Sequence, residues 1–186
     1  DEDGFVIPIK NKNLCTDCGL CEMVCPVEHP DYSNSPIPSA FAAYDPKERQ
    51  KSSSGGIFYS VAKHVIGQDG EVFGAAFDDD MQLRHISVKT IDGLESLRGS
   101  KYVQSNIGET FRNVAKSLKA DRLVYFTGTP CQVAGLKAFL RKSYDNLITS
   151  DLVCHGVPNQ KLFDIHLKYL ENSMGSKVNA YSFRDC

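Results

Sequence analysis

The sequence predicts an α/β chain: a mixed strand–helix domain preceded by a short cysteine-rich segment. Three observations carry this. Apolar runs of strand length, such as "EVFGAAF" and "LVYF", alternate with stretches whose apolar residues recur at helical spacing. Gly, Ser, Asn and Pro punctuate the changeovers. Four of the seven cysteines fall within the eleven residues 15–25, ahead of all this alternation.

Taken in order, "FVIPI" (5–9) reads as a short strand leading into the cysteines, and "HPDYSNSPIP" (29–38) as a loop or linker. "AFAAY" (40–44) and "EVFGAAF" (71–77) read as strands, with a helix over 57–66 whose apolar face is Ile57, Phe58, Val61, Val65 and Ile66. "LRHISVKT" (83–90) alternates as a half-buried strand. Asn106 with Glu109 has capping-box spacing and opens a helix over 106–119 with the stripe Ile107, Phe111, Val114, Ala115, Leu118. "LVYF" (123–126) is a strand, and "CQVAGLKAFL" a helix facing Val133, Leu136, Phe139 and Leu140 inward. "NLITSDLVC" is a strand, 158–171 a helix opening on Pro158, and "KVNAYSF" a last strand.

At 186 residues, 41% hydrophobic and 24% charged, the chain has room for one sizeable core. A formal net charge of −2 supplies no basic field for nucleic acid and no polybasic anchor. No apolar run approaches the roughly 20 residues of a membrane-spanning helix. The opening Asp-Glu-Asp differs from the basic-then-apolar start of an export signal, and an odd, clustered cysteine set fits metal ligation better than disulfides. The expectation is a cytoplasmic, reducing compartment in an anaerobic setting.

"CTDCGLCEMVCP" places Cys15, Cys18, Cys21 and Cys25 in C-x2-C-x2-C-x3-C-P spacing. Such close spacing presents several thiolates to one compact 4Fe-4S cube, with Gly19 letting the backbone approach its sulfides. Structural zinc sites instead pair their ligands in two separated halves, so zinc is the weaker reading. Residues 5–27 resemble the second half of a two-cluster bacterial ferredoxin. In that arrangement Cys15, Cys18 and Cys21 share one cluster and Cys25 points at another. On this resemblance the first half, with the fourth thiolate and the other ligands of the second cluster, is expected ahead of residue 1; the competing answer uses Cys131, Cys154 or Cys25 itself as the fourth ligand.

Three junctions can receive an anion. In "FTGTPCQVAGL" (126–136), Gly128 permits a sharp turn, Thr129 and Gln132 form a second capping box around Pro130, and Cys131 falls in the first helical turn. The dipole there favours a thiolate or anion, although a small packed cysteine is the plain alternative. "KSSSGGIF" (51–58) offers backbone N–H groups and hydroxyls but lacks P-loop spacing. "DLVCHGVP" (151–158) puts Cys154 and His155 at a strand end. In "RGSKYVQS" (98–105), Arg98 and Lys101 can face phosphates, while Tyr102 and Gln104 can meet a ring. His29, His64, His85 and His166 have no constellation around them. Together the turns suit an elongated ligand with a phosphate portion and a ring, and a flavin beside a one-electron relay answers that description.

The segments "DCGLCEMVCP", "KSSSGGIF", "FGAAFD", "LRGSKYVQS", "FTGTPCQVAGLKAFL", "DLVCHGVP" and "FRD", in that order, resemble the coenzyme F420 hydrogenase/dehydrogenase beta-subunit family. The resemblance implies an iron–sulfur flavoprotein oxidoreductase. It would bind FAD and pass electrons between 4Fe-4S clusters and an organic substrate, coenzyme F420 in the name-giving members, with a redox partner protein supplying or accepting electrons. It implies a flavin neighbourhood of Ser53, Ser54, Gly55, Gly56, Lys101, Tyr102, Gln104, Ser105, Thr129, Cys131 and Gln132, with Cys131 and His155 as catalytic candidates and Cys154 beside them. It also implies a half-ferredoxin segment (1–30), a linker (31–40) and an α/β FAD-binding domain (41–186). Longer relatives extend at both ends, which makes a fragment the expectation and Cys186 no ligand. The rival readings are a non-enzymatic electron-transfer or assembly subunit, a zinc-stabilised interaction domain, and a thiol oxidoreductase using Cys131.

Overall fold

The computed structural model describes residues 2, 4–5, 7–25, 28–29 and 37–184. Most of the expected linker, with Val6, Pro26, Asp185 and Cys186, lies outside them. A four-residue helix, α1 (Leu20–Met23), follows Gly19, whose φ of 70° only glycine adopts without strain. The body contains α2 (Ile57–Gly67), β1 (Glu71–Phe77), β2 (Leu83–Val88), α3 (Thr110–Lys119), β3 (Val124–Gly128), α4 (Pro130–Leu140), β4 (Leu147–Asp151) and α5 (Gln160–Met174).

The four strands form one mixed sheet in the order β2-β1-β3-β4. β1 pairs antiparallel with β2 and parallel with β3, which pairs parallel with β4. The parallel pairs arise because α3 carries the chain back over the sheet from β2 to β3, and α4 from β3 to β4. Period-two alternation then divides the core. Val72 and Tyr125 face α2, where Tyr59, Ala62 and Val65 bury them together with Leu94 and Leu97 of the 3-10 turn Asp92–Leu97. Their neighbours Phe73, Val124 and Phe126 face α3 and α4, against Val114, Leu118, Val133, Leu136 and Leu140. A third cluster packs Phe163 and Leu167 of α5 on Met81, Leu83 and Val103.

Several sequence expectations are corrected. Residues 40–44 form no strand, and the described residues of 5–9 and 177–183 form none. These runs are short and their described residues pair with no strand of the sheet, so propensity alone does not extend it. α3 starts at Thr110 rather than Asn106, because Asn106 bonds back to β2: its N–H donates to Leu83 O and its C=O accepts from His85 N, both at 2.9 Å. Its side chain accepts from Gly108 N instead of capping the helix. α5 starts after Asn159, whose side chain accepts from Leu162 N at 2.9 Å, so Pro158 precedes the cap. Phe139 is 41% exposed, and Ile57 42%, rather than turned inward.

Candidate functional site

The capping geometry expected at α4 is present. Thr129 N donates to Gln132 Oε1 at 3.0 Å. Gly128 makes this possible, since a Cβ there would stand 2.9 Å from that oxygen. The other end of the Gln132 amide donates to Ser105 Oγ at 2.8 Å, tying α4 to the 98–105 loop. Cys131 is exposed on the first turn, with its Sγ 3.0 Å from Thr129 Oγ1.

Behind Ser105 stands His85, which sequence reasoning set aside. Its Nε2 lies 2.9 Å from Thr127 O and its Nδ1 2.9 Å from Ser105 Oγ. A carbonyl only accepts, so Nε2 carries the proton and donates. Nδ1 then accepts from Ser105, which accepts in turn from Gln132, and the chain of bonds closes with a neutral imidazole. Burial lowers the His85 pKa, against a smaller opposing effect of its bond to the Thr127 backbone. Phe126 stacks on the ring at 5.3 Å between centroids. The signal available in the sequence was its register: His85 shares the buried face of β2 with Leu83, and a polar ring there must find partners.

The lowered pKa has a measurable sign. Below about pH 6.5, the ordinary histidine value, the unfolded chain takes up a proton that buried His85 refuses. Stability therefore falls with pH until the lowered folded value is passed, and it is intact above the unfolded value. His85→Gln keeps a donor for Thr127 and an acceptor for Ser105. The wild-type-minus-variant difference in urea stability is expected to shrink as pH falls from about 7 to about 5. A difference constant across that range would contradict the assignment.

The second junction is built around Arg98. Its guanidinium pairs with Glu48 and with Glu95, donates to Ser52 Oγ at 3.2 Å, and lies 3.6 Å from the centre of the Tyr59 ring. Arg98, read as a phosphate-facing candidate, is thus consumed within the fold. Ser100 N donates to Ser53 Oγ at 3.0 Å, which joins the Ser/Gly turn to the 98–105 loop. Ser54 is exposed, and Gly56 caps α2 with φ 81°. Gly55 is closely packed, with a Cβ position 2.7 Å from Ala43 O.

Lys101 sits between the two junctions. Its amine donates to Arg98 O at 2.6 Å and meets Gly99 O at 3.3 Å, with no carboxylate in ion-pair reach among the described residues. Burial pulls its pKa down to about 8. Next to it, Tyr102 is 40% exposed and meets Phe183 edge-on. Gln104 N donates to Pro158 O at 2.9 Å, and Gln104 lines a cavity of about 100 Å³ with Gln160 and Arg84. That bond draws the 152–158 segment alongside. There Gly156 N donates to Cys154 Sγ at 3.4 Å, and His155 is exposed.

Ser53, Lys101, Ser105, Thr129 and Gln132 are thereby linked through one loop. For Cys131 and His155 no hydrogen bond to each other is formed. In the cysteine segment, Asp17 N donates to Cys15 Sγ at 3.4 Å, and Lys10 pairs with Asp17 at 2.8 Å. The Leu20 backbone N–H, and then the Thr16 side chain, lower the Cys18 pKa. Backbone N–H bonds to sulfur are those that tune a thiolate-held cluster, so the donor set fits one. Among the described residues no three Cys, His, Asp or Glu side chains converge as around a single metal ion.

Fold and cysteine spacing define the class: a mixed α/β protein with an iron–sulfur segment ahead of its sheet. Residues 8–28 match the 4Fe-4S binding domain family. Residues 121–185 match the C terminus of the coenzyme F420 hydrogenase/dehydrogenase beta subunit, and the resemblance read from the motifs is borne out there. A chain of the F420-reducing [NiFe] hydrogenase complex from Methanosarcina barkeri shares the fold, with a TM-score of 0.55 at 20% identity over 70% of this chain and 48% of that one. The present chain thus spans about half the length of that relative. No curated protein matches it in sequence. No helix among the described residues is long and apolar enough to cross a membrane.

Proposed function

We propose that this protein is an iron–sulfur flavoprotein oxidoreductase of the cytoplasm, working under anaerobic conditions. Residues 1–30 would hold 4Fe-4S ligands Cys15, Cys18, Cys21 and Cys25, and 41–186 would bind FAD, joined by 31–40. The flavin, when bound, supplies the exchange between a hydride pair and single electrons. The organic substrate is coenzyme F420 or another hydride donor or acceptor, and a redox partner subunit takes up or delivers the electrons.

The observation carrying the flavin assignment is Lys101. A desolvated ammonium without an anion is costly, and a phosphate recovers that cost. Tyr102, half-exposed beside it, has the Arg184 guanidinium 5.6 Å from its ring centre. Ser105, Thr129 and Gln132 bond to one another and Ser53 accepts from Ser100 N, so they shape the rim, while Ser54, Gly55 and Gly56 set the turn. Cys131 and His155 are open to a substrate approaching this edge.

Titration with FAD, followed by quenching of flavin fluorescence, tests this reading. Lys101→Met is expected to bind about tenfold more weakly, the loss of one charge-assisted contact. Equal affinity, or no binding by either protein, would refute it. The exposed Cys131 favours a second reading, a thiol oxidoreductase. It requires that Cys131→Ala abolish disulfide reduction without altering flavin or iron content.

A further inference from the structure

A cleft of about 800 Å³ lies away from the junctions above, between the cysteine segment and the α3–α4 pair. Leu20 and Val24, on and just after α1, form one wall. Phe139, Leu140 and Tyr144 give the opposite side an apolar centre, with Phe139 41% exposed. Arg112, Lys116 and Lys119 line the cleft from α3 at spacings that put them on one helical face, a row of about 10 Å at the helical rise. Arg141 and Lys142 add two further cations.

This charge is concentrated in a chain whose net charge is −2. Arg112 pairs with Glu109 at 2.9 Å, whereas Lys116, Lys119, Arg141 and Lys142 have no carboxylate in ion-pair reach among the described residues. Lys142 lies over the Tyr144 ring at 4.6 Å. A small anion is held by donors converging on a point. Here the cations are strung along a rim around an apolar centre, the anatomy of a protein–protein interface. Leu20 and Val24 of the opposite wall alternate in sequence with Cys18, Cys21 and Cys25, so an occupant meets the segment that carries the cysteines.

We propose that this cleft is the docking surface for an acidic electron-carrier protein. Complementary charge steers the partner's encounter, and the apolar centre fixes its seat next to the iron–sulfur segment. The identity of the occupant as a redox protein rests on the electron-transfer reading above.

The test uses anaerobically reconstituted protein and a purified acidic two-cluster ferredoxin as probe, with binding measured by calorimetry. Binding is expected to weaken at least about tenfold in K116E/K119E/R141E, and comparably when salt is raised well above physiological strength. Lys63→Glu, on α2, is expected to leave binding unchanged. Should the reversal unfold the chain, K116Q/K119Q/R141Q gives the same reading with a smaller loss. No binding of the probe, or binding indifferent to these changes, overturns the proposal. Capture of ATP or of phosphatidylserine vesicles in its place, abolished by the same substitutions, overturns it too and assigns the cleft to a small anion or a lipid surface. Iron, sulfide and flavin are assayed on the same samples. Their absence from wild type counts against the flavoprotein reading, whereas their presence with an unaltered salt response counts against the docking surface alone.

Discussion

Phe126→Ala is expected to destabilise the protein by about 3–5 kcal/mol, the range for emptying a fully buried aromatic site. Phe126 is 0% exposed on the central strand β3, packed among Phe73, Val114, Val133 and Leu136. Neighbours on a sheet cannot close the hole, because the β1 and β4 ladders hold the backbone on both sides. A domain of this kind has about 5–15 kcal/mol in total, so the variant stands near the edge of folding. The ring is also one wall of the His85 site, so its loss lets water reach the imidazole. The acid-side loss of stability should therefore weaken in the variant. Urea unfolding at two pH values checks both effects, and a cost below about 1 kcal/mol would contradict this packing.

Arg98→Ala is expected to cost about 3 kcal/mol, at the low end for breaking a buried ion pair because Glu48 keeps 20% side-chain exposure. Burial works against the Arg98 charge, yet its bonds to Glu48 and Glu95 prevail and raise its pKa. Removing the guanidinium leaves Glu48 without its cation, strips the face of Tyr59 and frees Ser52 Oγ. Lysine cannot reproduce the fork that reaches Glu48, Glu95 and Ser52 together, so Arg98→Lys should recover less than half of the loss. The same change removes one of the two ties between the 51–56 turn and the 98–105 loop, leaving the Ser100–Ser53 bond. FAD affinity should then fall by about tenfold even where the protein remains folded. An Arg98→Ala protein with unchanged stability and unchanged flavin affinity would show that the junction is incidental.

The two variants mark what sequence could and could not deliver. Helical stripes such as Val114 with Leu118 and Val133 with Leu136 were legible because burial follows their spacing directly. The α4 start was legible too, since its turn, proline and capping pair are contiguous. Arg98 and His85 were not. Their partners lie far along the chain, Glu48 for one and Ser105 with Thr127 for the other, and only the assembled sheet brings them together. Without that contact, Arg98 reads as a phosphate ligand and His85 as a stray ring. The short apolar runs at 40–44 and 177–183 misled for the opposite reason, since strand propensity counts only where the run pairs with a sheet.

The most direct test of the central claim is the iron, acid-labile sulfide and flavin content of the chain after anaerobic reconstitution, with its visible absorption recorded. Bound flavin together with iron and sulfide is expected, the metal lost on replacing Cys15, Cys18 and Cys21 by serine while the flavin stays. Zinc without sulfide, in a protein that retains no flavin, would contradict it and leave a metal-stabilised structural module.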